Sequence, residues 1–446
     1  MRKPFKAGMY LLETLTSGMY NDPLTIYREY VQNAVDSIDI MAQERKWYRP
    51  KIQITIDPFT KKIGIFDNGA GINSKIAPSV LGSIGSSDKA GHDLRGFRGI
   101  GRLGGVAFCE KAIFRTKSYG EEIETVQEWD CKKLRKYLSE NSTVDYSLGQ
   151  LFSKTTKLYQ RNGQNPKDSF FHVELLGVKS FKNYIFNIRQ VINYLERVGP
   201  VPFSKEDFSF GSQIDSFLES KIPQYSSYPI FVNDIPVYKP YRDLVRTAKK
   251  SGNLIEEIEF ISLKVRDQVV AHGWVGKRAN LLGSIAKGDR VSGIKVRVGN
   301  ILIGDDHLLD GCFRENRFNG YVIGELHVHS PDLVPNSRRD DFVDNDIKTL
   351  FYNSVERDIG VPISKEIRTS SKQYSQNRSN NLKPNNAKTE QAKEINNKMN
   401  FFGKTINPKE LSKEELISLL NRLSDSCNSC PKYNNVCSSL KQELGK

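Results

Sequence analysis

Three short segments constrain this chain more than anything else in it. In order they are Arg28–Asp36 (R-E-Y-V-Q-N-A-V-D), Asp67–Ile72 (D-N-G-A-G-I) and Gly96–Gly104 (G-F-R-G-I-G-R-L-G). At about 100° per residue, Glu29, Asn33 and Asp36 share a narrow sector of one helix, and Tyr27, Tyr30, Val31, Ala34, Val35 and Ile38 cluster opposite. Such a helix packs by its apolar stripe and presents a carboxylate beside an amide. Asp67 follows an apolar run (Ile63, Ile65, Phe66) and is expected to end a strand. Gly69 and Gly71 permit a tight turn and let a ligand approach the backbone. Gly96, Gly99 and Gly101 expose amide N–H groups suited to phosphate oxygens.

The residue types match nucleotide chemistry. A carboxylate at Glu29 can take the proton of a water attacking a γ-phosphate. An amide oxygen from Asn33, one turn on, is a hard ligand suited to Mg2+. Asp67 can accept a hydrogen bond from the exocyclic amine of a base. Taken singly, each segment has a plain alternative: a solvated helix face, a common turn, a glycine-rich loop. Their order and spacing together point to a nucleotide site.

E-x-x-x-N-x-x-D, then D-x-G-x-G, then G-x-x-G-x-G resembles the signature of the GHKL superfamily, which includes gyrase B, the heat-shock protein 90 chaperones, histidine kinases and MutL. The flanking residues are nearest to the heat-shock protein 90 branch: Phe5–Ala7, Tyr20 and the Arg28-Glu29 pair before Asn33-Ala34, then Leu81–Ile84 leading to Ser86-Ser87-Asp88-Lys89. The resemblance implies an α+β chain. A Bergerat-fold α/β sandwich that binds ATP would precede an α/β middle, transducer-like domain and a short helical tail. It also implies that Glu29 activates the water, Asn33 binds Mg2+, Asp67 reads adenine and Gly71 lines the base pocket. Lys89 would meet phosphate under a loop formed by Gly96, Gly99 and Gly101. The sequence departs from the family in a short lid (Ala90–Arg95) and in lacking the Gly-Thr pair near Phe170–Leu175.

The Gly199-Pro200 stop after a helical stretch at Tyr184–Val198 suggests a boundary. Residues 1–198 are expected to form the ATP-binding domain and 199–367 the middle domain. Phe231–Val237 reads as a hairpin, and Phe260–Val265 and Ile294–Val298 alternate like strands. The segment Glu325–Phe342 resembles the middle-domain loop whose arginine reaches the γ-phosphate. Arg338 takes that position and Arg339 is its alternative, against a plain salt-bridge reading with Asp340-Asp341. His327 and His329, near Asp305–His307 in sequence, are read as structural rather than as metal ligands.

Residues 368–404 are poor in large apolar side chains and are expected to be a disordered polar linker. Residues 405–446 follow as a helical tail in which Leu416, Leu419, Leu420 and Leu423 form an apolar edge. Cys427, Cys430 and Cys437 supply half of a Zn2+ site. Metal binding, reduced thiols and a disulfide stay open there.

The net charge is +14, with 14 basic against 8 acidic side chains in residues 366–446, so +6 of it is local to that tail and +8 comes from the rest. It favours anionic partners and leaves nucleic acid open. The sequence has no membrane-length apolar run, signal-peptide pattern or secreted cysteine framework, which leads to the expectation of a cytoplasmic protein. The expected function is a slow ATPase acting as a chaperone-like clamp on a protein client or partner subunit, through a nucleotide-dependent homodimer. A microrchidia- or MutL-like DNA clamp, in a DNA-related or anti-phage defence system, is the alternative. A third reading is a switch driven by ATP binding alone.

Overall fold

Residues Thr25–Glu44 form one helix, α1, and the apolar stripe expected from its spacing is buried along its length. The computed structural model describes residues 22–45, 47–83, 101–139, 148–179, 181–247 and 252–381. Helix α1 shares a hydrophobic core with a sheet of eight strands. These are β1 (Ile52–Asp57), β2 (Lys62–Asp67), β3 (Lys111–Lys117), β4 (Glu124–Asp130), β5 (Thr156–Arg161), β6 (Phe170–Leu176), β7 (Ile230–Val232) and β8 (Ile235–Pro236). Their order is β5-β4-β3-β6-β2-β1-β7-β8, and only β1 and β7 run parallel. Short helices α2 (Ala77–Gly82), α3 (Cys131–Ser139) and α4 (Leu148–Thr155) and the longer α5 (Ile188–Val198) accompany it.

Strand alternation assigns the sheet two faces. Ile63 and Ile65 join the core with α1. On the other face Phe66 stacks on Phe170 at 5.9 Å, and Lys62–Glu174 and Arg115–Glu124 form ion pairs. The result is a two-layer sandwich with one polar face.

The hairpin expected at Phe231–Val237 is present as β7–β8, and it belongs to this first sheet. Its turn residues Asn233 and Asp234 have φ of 44° and 67°, as a type I′ turn requires. Asp234 stands where Gly is commoner, and the Asn233 amide anchors the turn by bonding the backbone of Ile56 in both directions, at 2.7 and 2.9 Å.

A second sheet follows, with α6 (Gly211–Lys221), β9 (Leu244–Arg246), β10 (Gly252–Val265), β11 (Gln268–Arg278), β12 (Gly293–Val298), β13 (Ile301–Ile303), β14 (Ile323–Val328), α7 (Asp346–Val355) and α8 (Val361–Asn381). Its order is β13-β12-β14-β11-β10-β9. One face packs with α6 through Phe203, Phe208, Tyr241 and Trp274, and the other packs Phe351, Val355, Ile363 and Ile367 from α7 and α8. Covered on both faces, β14 is buried at every residue. Both sheets belong to one compact unit that extends to Tyr374.

The polar tract expected to be a linker from residue 368 instead begins as helix, since α8 runs to Asn381. Its first turns bury Ile363 and Ile367, and a helix already nucleated extends at little cost. Residues 382–446, with Cys427, Cys430 and Cys437, lie outside the described residues.

A fully buried ionic cluster lies on the α6 side of the second sheet. Glu325 accepts from Arg297 Nε at 2.6 Å, from Lys239 Nζ at 2.9 and 3.1 Å and from the Tyr241 hydroxyl at 3.1 Å. Burial alone would raise the Glu325 carboxyl, but Arg297 and Lys239 hold it well below the usual carboxylate range. His327 sits 3.1 Å from Glu325 and edge-on to Tyr225. Burial pushes its imidazole down to about 4, against the pull of Glu325.

A folded-state value below the unfolded 6.5 means that the unfolded chain binds the extra proton between those limits. Stability is therefore expected to be whole above about pH 6.5 and to fall as pH drops toward 4, by up to about 3 kcal/mol from this group. Urea unfolding at pH 7.5 and pH 5 measures this, and the drop should shrink in His327→Gln. Equal drops in both chains would assign the acid sensitivity to another group.

Candidate nucleotide site

The polar sector of α1 is not a solvated face. Asp36 is fully buried, Asn33 is half-buried and the Glu29 side chain is 14% exposed. Gln32, in the same sector, is 1% exposed, and among the described residues neither its amide oxygen nor its nitrogen has a hydrogen-bond partner. Hard oxygen donors and an orphaned buried amide on one helix side fit a hydrated Mg2+ and a polar ligand.

Asp67 ends β2, is 4% exposed, and accepts from the Gly69 amide at 3.0 Å. The loop after it is stitched to α1 at Ser37, one turn beyond Asn33. Ala70 N donates to Ser37 O at 2.9 Å and Gly71 N to Ser37 Oγ at 3.4 Å. A Cβ on Gly69 would lie 2.6 Å from the Ser37 carbonyl carbon, so the backbone that requires glycine there is the helix's own. Gly71 has φ +63°, and a Cβ on it would lie 2.0 Å from Lys117 O. The D-x-G-x-G spacing thus sets the distance between Asp67 and the Glu29–Asn33 side of α1.

Three residues of this site carry no motif: Ser37, Thr116 and Lys117. Thr116 Oγ1 accepts from Ile72 N at 2.8 Å and donates to Phe170 O at 3.2 Å. The Lys117 ammonium donates to the carbonyls of Glu121, at 2.9 Å, and Asp168. In sequence Thr116 and Lys117 look like ordinary strand-end residues, and only the sheet shows that Thr116 Oγ1 holds the loop at Ile72 and that Lys117 O lies against Gly71. Phe171 pairs in register with both Asp67 and Thr116.

Of the glycine loop, Gly101 opens a 3-10 turn, Gly101–Ala107. Gly105 N donates to the Tyr30 hydroxyl of α1 at 3.1 Å, and a Cβ there would lie 2.4 Å from that oxygen. Lys89, Gly96 and Gly99 lie outside the described residues.

Arg338 is exposed on the loop after β14, and its backbone is next to α1. Arg28 Nη2 lies 3.2 Å from Glu29 Oε1 and 3.4 Å from Arg338 O. Arg339 is left-handed, with φ 58°, and its carbonyl accepts from Gly304 N at 2.8 Å. The two acids beside the arginines are engaged elsewhere. Asp340 accepts from Asn336 at 2.5 Å, and Asp341 takes Lys348 at 2.7 Å and the Tyr352 hydroxyl at 2.6 Å.

His327 is committed to Glu325, and His329 stacks on His272 at 5.2 Å. Among the described residues no three His, Cys, Asp or Glu side chains gather as a metal site. No helix among them is long and apolar enough to cross a membrane.

A helix carrying Glu29 and Asn33 is thus joined through Ser37 to the aspartate–glycine loop, beside a mixed sheet in an α+β domain. Residues 25–157 match the family of histidine kinase-, DNA gyrase B-, and HSP90-like ATPases. The chaperone protein HtpG of Halalkalibacterium halodurans is 28% identical over 145 residues, covering 27% of this chain and 22% of HtpG. The chain thus spans about a fifth of that relative's length. It carries a GHKL-superfamily, HSP90-like ATPase domain.

Proposed function

We propose that this chain hydrolyses ATP slowly and works as an HSP90-like, nucleotide-gated clamp on a protein partner, as a cytoplasmic protein that dimerises when nucleotide is bound. The observation that carries the reading is the Arg28 bridge, which joins the Glu29 side of α1 to the backbone of the Arg338 loop. In this reading residues 1–198 bind ATP and residues 199–367 act as the middle domain. Glu29 orients the attacking water and takes its proton, and Asp67 accepts from the adenine amine. Gly69 and Gly71 shape the base pocket, and Lys89 with Gly96, Gly99 and Gly101 holds phosphate. Arg338 turns its side chain to the γ-phosphate when the lid closes. Asn33 would hold Mg2+, which when bound would supply charge to neutralise the phosphate.

Isothermal titration of the full chain with a non-hydrolysable ATP analogue tests the metal assignment. In Asn33→Ala the affinity with Mg2+ should fall to about the level measured without it. A metal response equal to that of the wild-type chain would remove Asn33 from the site. Suppression of client aggregation that requires ATP tests the clamp.

A second reading, a DNA clamp, is favoured by the exposed lysines Lys132, Lys133 and Lys136 of α3 and Lys154 of α4. It calls for log affinity for duplex DNA that falls linearly with log salt, with a slope that flattens when lysines are removed. No DNA binding at low salt with the ATP analogue present would eliminate it.

A further inference from the structure

The two roots of the Arg338 loop converge on one buried side chain. The first root is β14, which carries Glu325 and runs directly into the loop. The second is the end of β13, where Gly304 N donates to Arg339 O and a Cβ on Gly304 would lie 3.0 Å from Asp340 O. Arg297 holds both roots. Its Nε donates to Glu325 at 2.6 Å, and its Nη1 donates to Asn300 O, at the β12–β13 turn, at 3.0 Å.

The same guanidinium reaches the first half of the molecule. Nη2 donates to Arg197 O at 2.8 Å and Nη1 to Gly199 O at 3.2 Å. These are carbonyls at the C-terminal end of α5, where a helix leaves acceptors unsatisfied. Helix α5 packs in the core that contains α1, through Val191, Ile192, Leu195 and Val198. One planar fork therefore links α5, which shares a core with α1, to both supports of Arg338.

A cluster of this kind is a poor way to gain stability. Burying ions costs several kcal/mol each, and well-packed apolar residues of the same volume serve as well or better. What a guanidinium fork adds is direction: its donors lie in one rigid plane, and apolar contact has no preferred geometry. We propose that Arg297, fixed by Glu325, is a positioning residue that sets the Arg338 loop against α1. This rests on the ATPase reading above and adds to it a residue that touches neither nucleotide nor water.

The test uses the full chain with Arg297→Lys, which keeps the charge but loses the fork, and with Glu325→Gln, which is isosteric. Turnover should fall at least about tenfold in both, in keeping with the sensitivity of catalysis to small misplacements. The affinity for a non-hydrolysable ATP analogue should stay within about twofold, and amide exchange at 336–341 should quicken while β1 and β2 stay protected. Arg290→Ala cuts the more exposed Arg290–Glu196 pair between α5 and the second half, and is expected to leave turnover and loop exchange unchanged.

Unchanged exchange at 336–341 in both variants would overturn the proposal. So would parallel loss of affinity and turnover, or failure of both variants to fold, since each assigns the cluster to stability alone. If the wild-type chain hydrolyses no ATP, the ATPase reading fails, and the exchange comparison still decides the positioning role.

Discussion

Arg338→Ala is expected to slow ATP turnover by roughly three orders of magnitude with nucleotide affinity little changed, the scale of an arginine that stabilises transition-state charge. The side chain is exposed and lies on a loop held by its backbone, so its removal leaves the fold alone. Arg339 provides the internal control. Because its φ is 58°, alanine there would add strain, and glycine removes the side chain without it. Arg339→Gly should therefore turn over ATP within a few-fold of the wild-type chain. If Arg339→Gly is the slower of the two, the arginine roles are exchanged. Because β7 pairs along β1, a chain cut at residue 200 would lose part of its own sheet, and point variants are the cleaner probe.

Glu29→Gln is expected to bind the ATP analogue and to hydrolyse ATP at least about 100-fold more slowly, within the range for a lost general base. Glutamine keeps an oxygen for Arg28 Nη2, so the bridge to Arg338 O can persist. Asp67→Asn should fail earlier, at binding. Its oxygen can still accept from Gly69 N, which keeps the loop, but its amide group would meet the adenine amine donor to donor. Wild-type affinity in Asp67→Asn would show that the base is read elsewhere. Turnover by Glu29→Gln at the wild-type rate would remove Glu29 from the chemistry.

Much of the candidate site was legible because its signals are local. The 3.6-residue period placed Glu29, Asn33 and Asp36 on one side of α1, and the short alternating runs located β1, β2 and β3. Gly71 was legible because only glycine accepts φ +63° against a carbonyl. Gly69 was read for the right reason and the wrong neighbour, since the backbone that approaches it is α1. The linker expectation failed at its start because composition does not register that Ile363 and Ile367 nucleate a helix on the second core.

The sequence by itself determined the class of the N-terminal domain, the order of its motifs and the residues offered for chemistry, because helix period, strand alternation and glycine requirements act over a few residues. Only the tertiary structure decided that β7, more than 170 residues after β1, completes the first sheet and that Arg28 touches Arg338. It alone decided that Arg297, Glu325 and Lys239 share one buried site under the end of α5. Such contacts form where burial strengthens a charge pair and leaves polar groups no water, and that condition is set by everything packed around them rather than by spacing along the chain.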